Sequence, residues 1–407
     1  MTRTRSLMAL AFGARIVSAL LALGMAVIVA PAVFGFYGRL QAIGLVFAVF
    51  AVLRLERAIV SSASTTEAVR VTRCALLLLP ATSTVAVLAA FALAPDLADQ
   101  PPRYIFTALL FIAFLARGLL LLINAWLLRS GNQMRLSYLV LSQAVAQFAS
   151  QALLLTTDLP PLAMLVAGEI MGALLAAAIA AAGHRALLAR LIPPRWTAGI
   201  LSRWRRLILF NLPAALASQT LVALPLITVG RLADHATIGH IALALRIAEA
   251  PMALLGSAAT SFAVAAGLWR GRTSLTSPLQ LVLVYFASVM LFGFLLVGGA
   301  WGLSLVIIEG RIAATIAYIP VVFLLPAAIV LGGPHAELVT YAGAEGQAFS
   351  IHVTALIAGL AVFHWATAPV PALLSFAAIA GLRSLVLWLV LPRLFRALPD
   401  KRDHNEA

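Results

Sequence analysis

Four arginines interrupt long apolar stretches of the sequence: Arg15, Arg117, Arg246 and Arg383. An arginine at the centre of a membrane-spanning helix costs about 2.5 to 3.5 kcal/mol on the insertion scale, so four that face lipid would oppose insertion by roughly 10 to 14 kcal/mol. We therefore expect these side chains to face the protein interior. A buried guanidinium stays charged and holds phosphate oxygens through two parallel hydrogen bonds. The four arginines therefore favour a site that binds phosphate or diphosphate.

Each arginine also has a simpler explanation, which the sequence leaves open. Arg15 lies near one end of its apolar stretch and can snorkel to the membrane interface. Arg246 can be neutralised by Glu249, which follows three residues later on the same helical face. Packing against a neighbouring polar group would explain Arg117 and Arg383 as well as ligand binding does.

Acidic and amide side chains within the apolar stretches are few. An intramembrane carboxylate can exchange a proton or coordinate a cation, so Glu169 and Glu249 are the candidates for ion coupling. The small residues around Glu169 fit a buried coupling site or, more readily, a hydrogen bond between helices. Gln143, Gln147 and Gln151 recur four residues apart. This stripe predicts either hydrogen bonds to sugar hydroxyls in a wet cavity or contacts that hold helices together.

The sequence contains no motif for a metal site or a catalytic centre. Its histidines in the apolar stretches occur singly, and it has no HExxH, no CxxC and no cluster of carboxylates. Its one cysteine, Cys74, excludes an internal disulfide. We therefore predict no metal, no cofactor and no enzymatic activity.

The composition is that of an integral membrane protein. Of 407 residues, 63% are hydrophobic and 10% are charged, and the mean hydropathy is +1.05, far from the values of soluble domains. Long apolar runs rich in Ala, Leu and Gly predict an all-α fold of packed transmembrane helices. The net charge is +14, but the arginines cluster at the ends of apolar runs. This placement indicates membrane topology and not nucleic-acid binding.

Apolar runs of about 20 residues predict twelve membrane spans. We read the N-terminal segment MTRTRS and the apolar run behind it as a retained first helix, because that run is too long for a signal peptide. The predicted spans are 7–30, 37–56, 74–94, 104–127, 137–156, 160–182, 207–229, 238–264, 279–305, 313–336, 350–368 and 372–392.

Apart from Arg15, Arg117, Arg246 and Arg383, the basic residues lie between the spans or at their ends, and mainly on one side of the membrane. Twenty lie on the side of the N-terminus and four on the other, so the positive-inside rule places both termini in the cytoplasm. On this topology, Arg54 and Arg57 share a face at the cytoplasmic end of span 37–56. We expect them to snorkel to the interface, with SSASTTEA as the polar loop that follows.

A basic segment, 184–206, divides the chain into two lobes of six spans, 1–183 and 207–396, and a polar cytoplasmic tail follows at 397–407. The segment contains Trp196. Two interpretations stay open: it lies along anionic lipids of the inner leaflet, or it is a solvated linker.

Three stretches resemble bacterial polysaccharide flippases of the multidrug/oligosaccharidyl-lipid/polysaccharide exporter superfamily. The second-helix region is similar over PAVFGFYGRLQAIGLVFAVFAVLRLERAIV, and the fourth-to-fifth helix connection over INAWLLRSGNQMRLSYLVLSQAVAQ. The seventh and eighth helices are similar over FNLPAALASQTLVALPLITVGRLADHATIGHIALALRIAEAPMALLGSA. The resemblance covers roughly residues 1 to 300.

This resemblance implies two pseudo-symmetric six-helix lobes around a central cavity. It implies a monomeric transporter of the bacterial inner membrane that flips undecaprenyl-diphosphate-linked oligosaccharide by alternating access, beside other polysaccharide assembly proteins. Members of this superfamily that carry lipid-linked sugars often place cavity arginines on the first and eighth helices. By resemblance, Arg15 and Arg246 are therefore the leading candidates for binding the diphosphate.

Other functions fit the sequence less well. A membrane-embedded polysaccharide polymerase or ligase usually needs a large outside loop, and the predicted outside loops are short. An acyltransferase needs an acid/base histidine near a hydroxyl, for which the sequence gives no pattern. A multidrug antiporter of the same superfamily binds cations, whereas we expect a cavity with more arginine than carboxylate.

Overall fold

The computed structural model describes most of the chain. The described residues are 17, 21, 24, 25, 28–93, 103–131, 133–182, 198–249, 252, 278–306, 311–332 and 345–397. Within these ranges the chain is helical and contains no strand, which confirms the predicted all-α class. Most of the predicted first span, 7–30, lies outside the described residues, and so does much of span 238–264.

The helices follow the predicted spans. In the first half of the chain they are α1 (Pro31–Ala51), α2 (Leu55–Ser61), α3 (Thr65–Leu93), α4 (Arg103–Arg129), α5 (Gln133–Leu154) and α6 (Pro161–Ala182). The short α7 (Ala198–Arg203) follows, and then come α8 (Leu212–Thr228), α9 (235–249), α10 (Pro278–Val306), α11 (Arg311–Leu331), α12 (Glu345–Trp365) and α13 (Pro369–Ala397). Among the described residues, nine helices are long and apolar enough to cross a membrane.

Two helices begin six or more residues earlier than the hydropathy predicts. The helix that matches span 37–56 starts at Pro31, because proline suits the first turn of a helix, where its missing N–H is not needed. The helix that matches span 74–94 starts at Thr65. The hydroxyl of Ser64 accepts a hydrogen bond from the backbone N–H of Glu67 at 3.1 Å, which caps the helix. The polar stretch before residue 74 is therefore mostly helix and not a loop.

A break separates α1 from α2 and corrects our interpretation of Arg54. Leu53 and Arg54 adopt positive φ angles of 50° and 61°, so the helix ends before Arg54 instead of carrying it on one face. The Arg54 guanidinium donates through Nε to Asn211 Oδ1 and through Nη1 to Glu56 Oε1, both at 2.9 Å. Arg54 therefore binds protein groups, and the expectation that it snorkels to the membrane interface is wrong.

Close packing between α5 and α6 depends on glycines in α6. A Cβ atom on Gly168 would lie 3.0 Å from the backbone N of Gln151, and one on Gly172 would lie 2.7 Å from the backbone N of Gln147. Such small residues allow two helix backbones to approach closely. The contact fixes the glutamine stripe of α5 directly beside the helix that carries Glu169.

Each lobe has its own apolar core. In the first lobe, buried side chains from α1, α3, α4 and α6 pack together, among them Phe34, Ile43 and Phe114, and Ala242 and Leu243 of α9 join this core from the second lobe. In the second lobe, side chains from α8, α9, α11, α12 and α13 pack together, among them Leu221, Ile241, Val322 and Phe376.

Helix α1 lies at the border between the lobes along its length. At its Pro31 end it crosses α9 so closely that a Cβ atom on Gly239 would lie 2.0 Å from the carbonyl oxygen of Pro31, and one on Gly35 would lie 2.5 Å from that of His235. At its other end, Val49 packs against Leu212 of α8. Between these ends, Ala42 and Val46 pack against Ala223 of α8. The two lobes therefore touch at several places along α1.

Candidate functional site: a charged cavity between the lobes

A cavity of about 460 Å³ lies between α1, α4, α5 and α6 of the first lobe and α8 and α9 of the second. Its α1 wall runs from Gly38 to Ala48. Most of the candidate residues from the sequence come together here. The polar lining residues are Gln41, Arg117, Asn124, Gln143, Gln147, Glu169, Arg246 and Glu249.

Arg117 and Glu169 form an ion pair in the wall of this cavity. The guanidinium donates to Glu169 Oε1 through Nε at 2.8 Å and also through Nη2. Both side chains are largely buried, with 19% of Arg117 and 11% of Glu169 exposed. A Cβ atom on Gly44 would lie 1.4 Å from Nη1 of Arg117. Glycine at position 44 therefore makes the space that the guanidinium occupies.

The second oxygen of Glu169 is held by two residues of α1. Glu169 Oε2 accepts hydrogen bonds from the Tyr37 hydroxyl at 3.0 Å and from Gln41 Nε2 at 3.1 Å. The Tyr37 oxygen in turn accepts from Gln41 Nε2 at 2.6 Å and from Gln147 Nε2 at 3.0 Å. The carboxylate is thus fixed by donors from three helices, α1, α4 and, through Tyr37, α5. Because each member holds its neighbour, the network presents one preorganised polar wall.

Arg246 reaches this wall from the second lobe. Its guanidinium carbon lies 5.3 Å from the ring centroid of Tyr37 and 5.6 Å from that of Phe34, within the range of a cation–π interaction. No hydrogen bond or ion pair joins Arg246 to another described residue. The ion pair with Glu249, one of the two interpretations left open by the sequence, is therefore not formed, and Glu249 lines the cavity with an exposed side chain. The guanidinium N–H groups remain available to a ligand.

The remaining candidates lie elsewhere. Arg383 is on α13 inside the second lobe and bonds to His352, and Arg15 lies outside the described residues. Gln151 donates to the carbonyl oxygen of Leu165 at 3.0 Å, so it joins α5 to α6 instead of lining the cavity. The described lining contains two arginines and two glutamates. The expected excess of arginine over carboxylate is therefore not present among the described residues.

Two residues of the site were missed in the sequence, Tyr37 and Gln41. Both lie in the stretch FGFYGRLQAIG, where their spacing carries a signal of its own. Two polar side chains four residues apart in an apolar helix lie on one face, and the glycines around them mark that face as a close helix contact. This face is the one that binds Glu169.

No family model and no curated protein matches this sequence. Solved structures share its fold. A multidrug resistance MATE family transporter of the MOP superfamily, in an inward-facing conformation, superposes with a TM-score of 0.66 at 14% identity, over 97% of this chain and 95% of that one. The lipid II flippase MurJ, in an inward closed conformation, gives 0.64 at 12% identity, over 96% and 89%.

A mutant of the MATE transporter VcmN from Vibrio cholerae gives 0.64 at 15% identity, over 98% of this chain and 99% of that one. At these identities the likeness shows the fold. The chain therefore has the two-lobe transporter fold seen in the MATE and MurJ structures. The three structures named here are two MATE transporters, one of them a multidrug resistance transporter, and a lipid II flippase.

Proposed function

We propose that this protein is a transporter of the bacterial inner membrane, with both termini in the cytoplasm, that flips an undecaprenyl-diphosphate-linked oligosaccharide by alternating access. The fold supports transport as the general activity. The observation that carries the choice of substrate is Arg246, a cavity guanidinium held only by aromatic rings among the described residues. It offers its full set of N–H donors to an anionic group.

The parts of the cavity suit different parts of such a substrate. Arg246 binds the diphosphate, because the fork of a guanidinium matches phosphate oxygens. Amide side chains of Gln41, Gln143 and Gln147 offer donors and acceptors to sugar hydroxyls. The polyprenyl chain stays in the surrounding lipid. A volume of about 460 Å³ holds only part of the head group, so the lobes must separate further to admit the rest.

Arg117 has a different role in this proposal. Glu169 already neutralises it, so the pair fixes the shape and charge of the wall beside Arg246. Arg15 stays a second candidate for the diphosphate through the family resemblance alone. Glu169 and Glu249 stay candidates for ion coupling, since protonation of Glu169 would release Arg117 to bind the substrate anion.

A multidrug antiporter of the same superfamily is the second candidate function. Two carboxylates line the cavity, and Glu249 has an exposed side chain without an ion pair among the described residues. A lipophilic cation would bind there through the negative charge of Glu249. The fold similarity to multidrug transporters agrees equally well with this function.

Reconstitution separates the two functions. Proteoliposomes would carry a fluorescent undecaprenyl-diphosphate-linked sugar, and a membrane-impermeant quencher would report the fraction moved between leaflets. Parallel vesicles would be given a lipophilic cationic dye under a proton or sodium gradient. We expect flipping of the lipid-linked sugar and no uptake of the dye. Dye transport without flipping would reject the flippase and support the antiporter.

Variants then locate the anion site. We expect Arg246→Ala to lower the flipping rate at least about tenfold, the equivalent of one lost charge-assisted hydrogen bond of about 1.4 kcal/mol. Arg246→Lys should retain part of the rate because it keeps the charge without the fork. Arg231→Ala is the matched control, since Arg231 is an exposed arginine outside the cavity. If Arg246→Ala and Arg246→Lys flip the substrate as fast as Arg231→Ala does, Arg246 does not bind the diphosphate.

Glu169→Gln tests ion coupling. If Glu169 couples transport to a gradient, the variant should transport at the same rate with and without a proton or sodium gradient, whereas the wild type should respond to one of them. A variant that keeps the gradient response would remove Glu169 as the coupling group.

A further inference from the structure

A second polar cluster lies within the second lobe, apart from the cavity between the lobes. It consists of Ser218 on α8, His352 on α12 and Arg383 on α13. The Arg383 guanidinium donates through Nε to His352 Nδ1 at 3.0 Å and through Nη2 to Ser218 Oγ at 3.4 Å. Arg383 is 4% exposed and His352 is 3% exposed. Three helices thus enclose one guanidinium.

The charge of this guanidinium has no counterpart in the described structure. His352 accepts a hydrogen bond at Nδ1, so that nitrogen carries no proton and the ring is neutral. Ser218 is also neutral. Among the described residues, no carboxylate lies within ion-pair distance of Arg383. The first lobe differs in this respect, because its buried Arg117 is matched by Glu169.

One nitrogen of Arg383 also lacks a hydrogen-bond partner. Nη1 is buried and makes no hydrogen bond within the described part of the chain. A guanidinium stays charged in proteins, and a buried charge that is neither paired nor hydrogen-bonded is strongly unfavourable. Nη1 of Arg383 therefore has two N–H groups that can donate hydrogen bonds to an anion, and the anion would also neutralise the guanidinium charge.

We propose that the second lobe binds one small monovalent anion, of which chloride is the simplest, at Nη1 of Arg383 beside the Ser218 hydroxyl. A single positive charge calls for a single negative one. The residues that flank the cluster on its own helices, Ala355, Phe376 and Ala380, are buried and apolar. They offer no further donors, so the site does not suit a larger oxyanion with several oxygens to satisfy.

The anion completes the charge balance of the second lobe and joins α8, α12 and α13 through one centre. None of the three cluster residues lines the cavity between the lobes. The inference therefore does not depend on the identity of the transported substrate.

Halide-dependent stability tests the site. The melting temperature of the purified full-length protein would be measured in sodium chloride, sodium bromide and sodium gluconate at constant ionic strength. Ligands that bind only the folded state raise its stability with concentration. We expect a saturable rise of the melting temperature in chloride and bromide and none in gluconate. A melting temperature that is equal in all three salts overturns the proposal.

Arg383→Met is the decisive variant because it removes the charge and keeps much of the side-chain volume. We expect its melting temperature to be the same in chloride and in gluconate. Arg231→Met, which removes an exposed arginine, should keep the wild-type response. A halide response that survives in Arg383→Met, or is lost in both variants, overturns the proposal.

Direct detection covers the case in which Arg383→Met does not fold. Crystals of the wild-type protein in sodium bromide would be measured at the bromine absorption edge. We expect an anomalous peak within hydrogen-bond distance of Nη1 of Arg383. Bromide peaks that occur only elsewhere would refute the site.

Discussion

Glu169→Gln probes the ion pair in the cavity wall with little change in side-chain size. Glu169 accepts from Arg117 at Oε1 and from Tyr37 and Gln41 at Oε2. Glutamine replaces the two carboxylate oxygens with one oxygen and one NH2 group. Either Arg117, or Tyr37 and Gln41 of α1, then faces a donor instead of an acceptor. The Arg117 charge also loses its counter-charge.

The expected cost follows from the burial of the pair. Removing one partner of a buried ion pair costs about 3 to 5 kcal/mol, because the other charge is left uncompensated. Here 19% of Arg117 and 11% of Glu169 are exposed, toward a cavity that water can reach. We therefore expect the lower end, about 3 kcal/mol for Glu169→Gln and a similar value for Arg117→Met.

The double variant Arg117→Met/Glu169→Gln distinguishes a pair from two independent effects. It leaves no unmatched charge, and the new amide oxygen is still able to accept from Tyr37 or Gln41. We expect it to cost about as much as one single variant, which gives a coupling energy of about 3 kcal/mol.

Unfolding in mixed detergent and SDS micelles, followed by tryptophan fluorescence, would give the four free energies of unfolding. Arg231→Met serves as the control for loss of an arginine without a buried partner. The assignment of a coupled buried pair would be refuted in two cases. Either the loss of unfolding free energy in the double variant equals the sum of the losses in the single variants, or the loss in Glu169→Gln is below about 0.5 kcal/mol.

Three further predictions concern the crossing of α1 and α9, the turn at Arg54 and the start of α9. Gly239→Ala should force α1 and α9 apart, because its Cβ would lie 2.0 Å from the Pro31 oxygen; a disulfide between Phe36→Cys and His235→Cys, whose rings stack at 4.3 Å, should then form more slowly, and an unchanged rate would contradict the close crossing. Arg54→Ala and Arg54→Gly should both lose the bonds to Asn211 and Glu56 at a cost of about 1.5 to 3 kcal/mol, but glycine should melt at the higher temperature because φ is 61°; the reverse order would contradict the left-handed turn. Hydrogen bonds from the Thr237 side chain and from the Thr237 backbone N–H, the latter at 3.0 Å, lower the pKa of the Asp234 carboxylate. Its contribution should be full above the unfolded pKa of about 3.9 and vanish as the pH falls through the lower folded value. A lower protection factor at the Thr237 amide on acidification, taken relative to the intrinsic exchange rate at each pH, would report this loss, and Asp234→Asn should remove the pH dependence of the protection factor.

The sequence is a good guide to the helices because a lipid environment leaves the backbone little choice. Apolar length alone placed most of the spans. The errors come where a local signal overrides hydropathy. Pro31 starts a helix early, and Ser64 with Glu67 has the spacing of a capping box, which a search for caps would have found before the structure.

The site is only partly predictable, for a physical reason. A polar residue in the middle of an apolar stretch needs a hydrogen-bond or ion-pair partner inside the protein. This reasoning placed Arg117, Glu169 and Arg246 among the candidates. Their partners depend on how each helix is rotated about its axis. Arg117 and Glu169 are 52 residues apart in sequence, and Arg246 had an acid three residues away. The spacing along α9 therefore suggested an ion pair between Arg246 and Glu249. In the structure, packing of α9 against α1 places Arg246 on the rings of Phe34 and Tyr37 instead.

The crossing of α1 and α9 has a mechanical consequence. Gly35 and Gly239 bring the two backbones together with no side chain between them, so no side chain at the crossing itself opposes a change in the angle between the helices. From Gly35 to the end of α1 at Ala51, a helix extends about 24 Å. A swivel of about 15°, as in known rigid-body transitions, displaces that far end by about 6 Å, slightly more than the pitch of one helical turn. A close crossing near one end of α1 thus converts a small change of angle into a large displacement at the other end, where Val49 packs against Leu212 of α8.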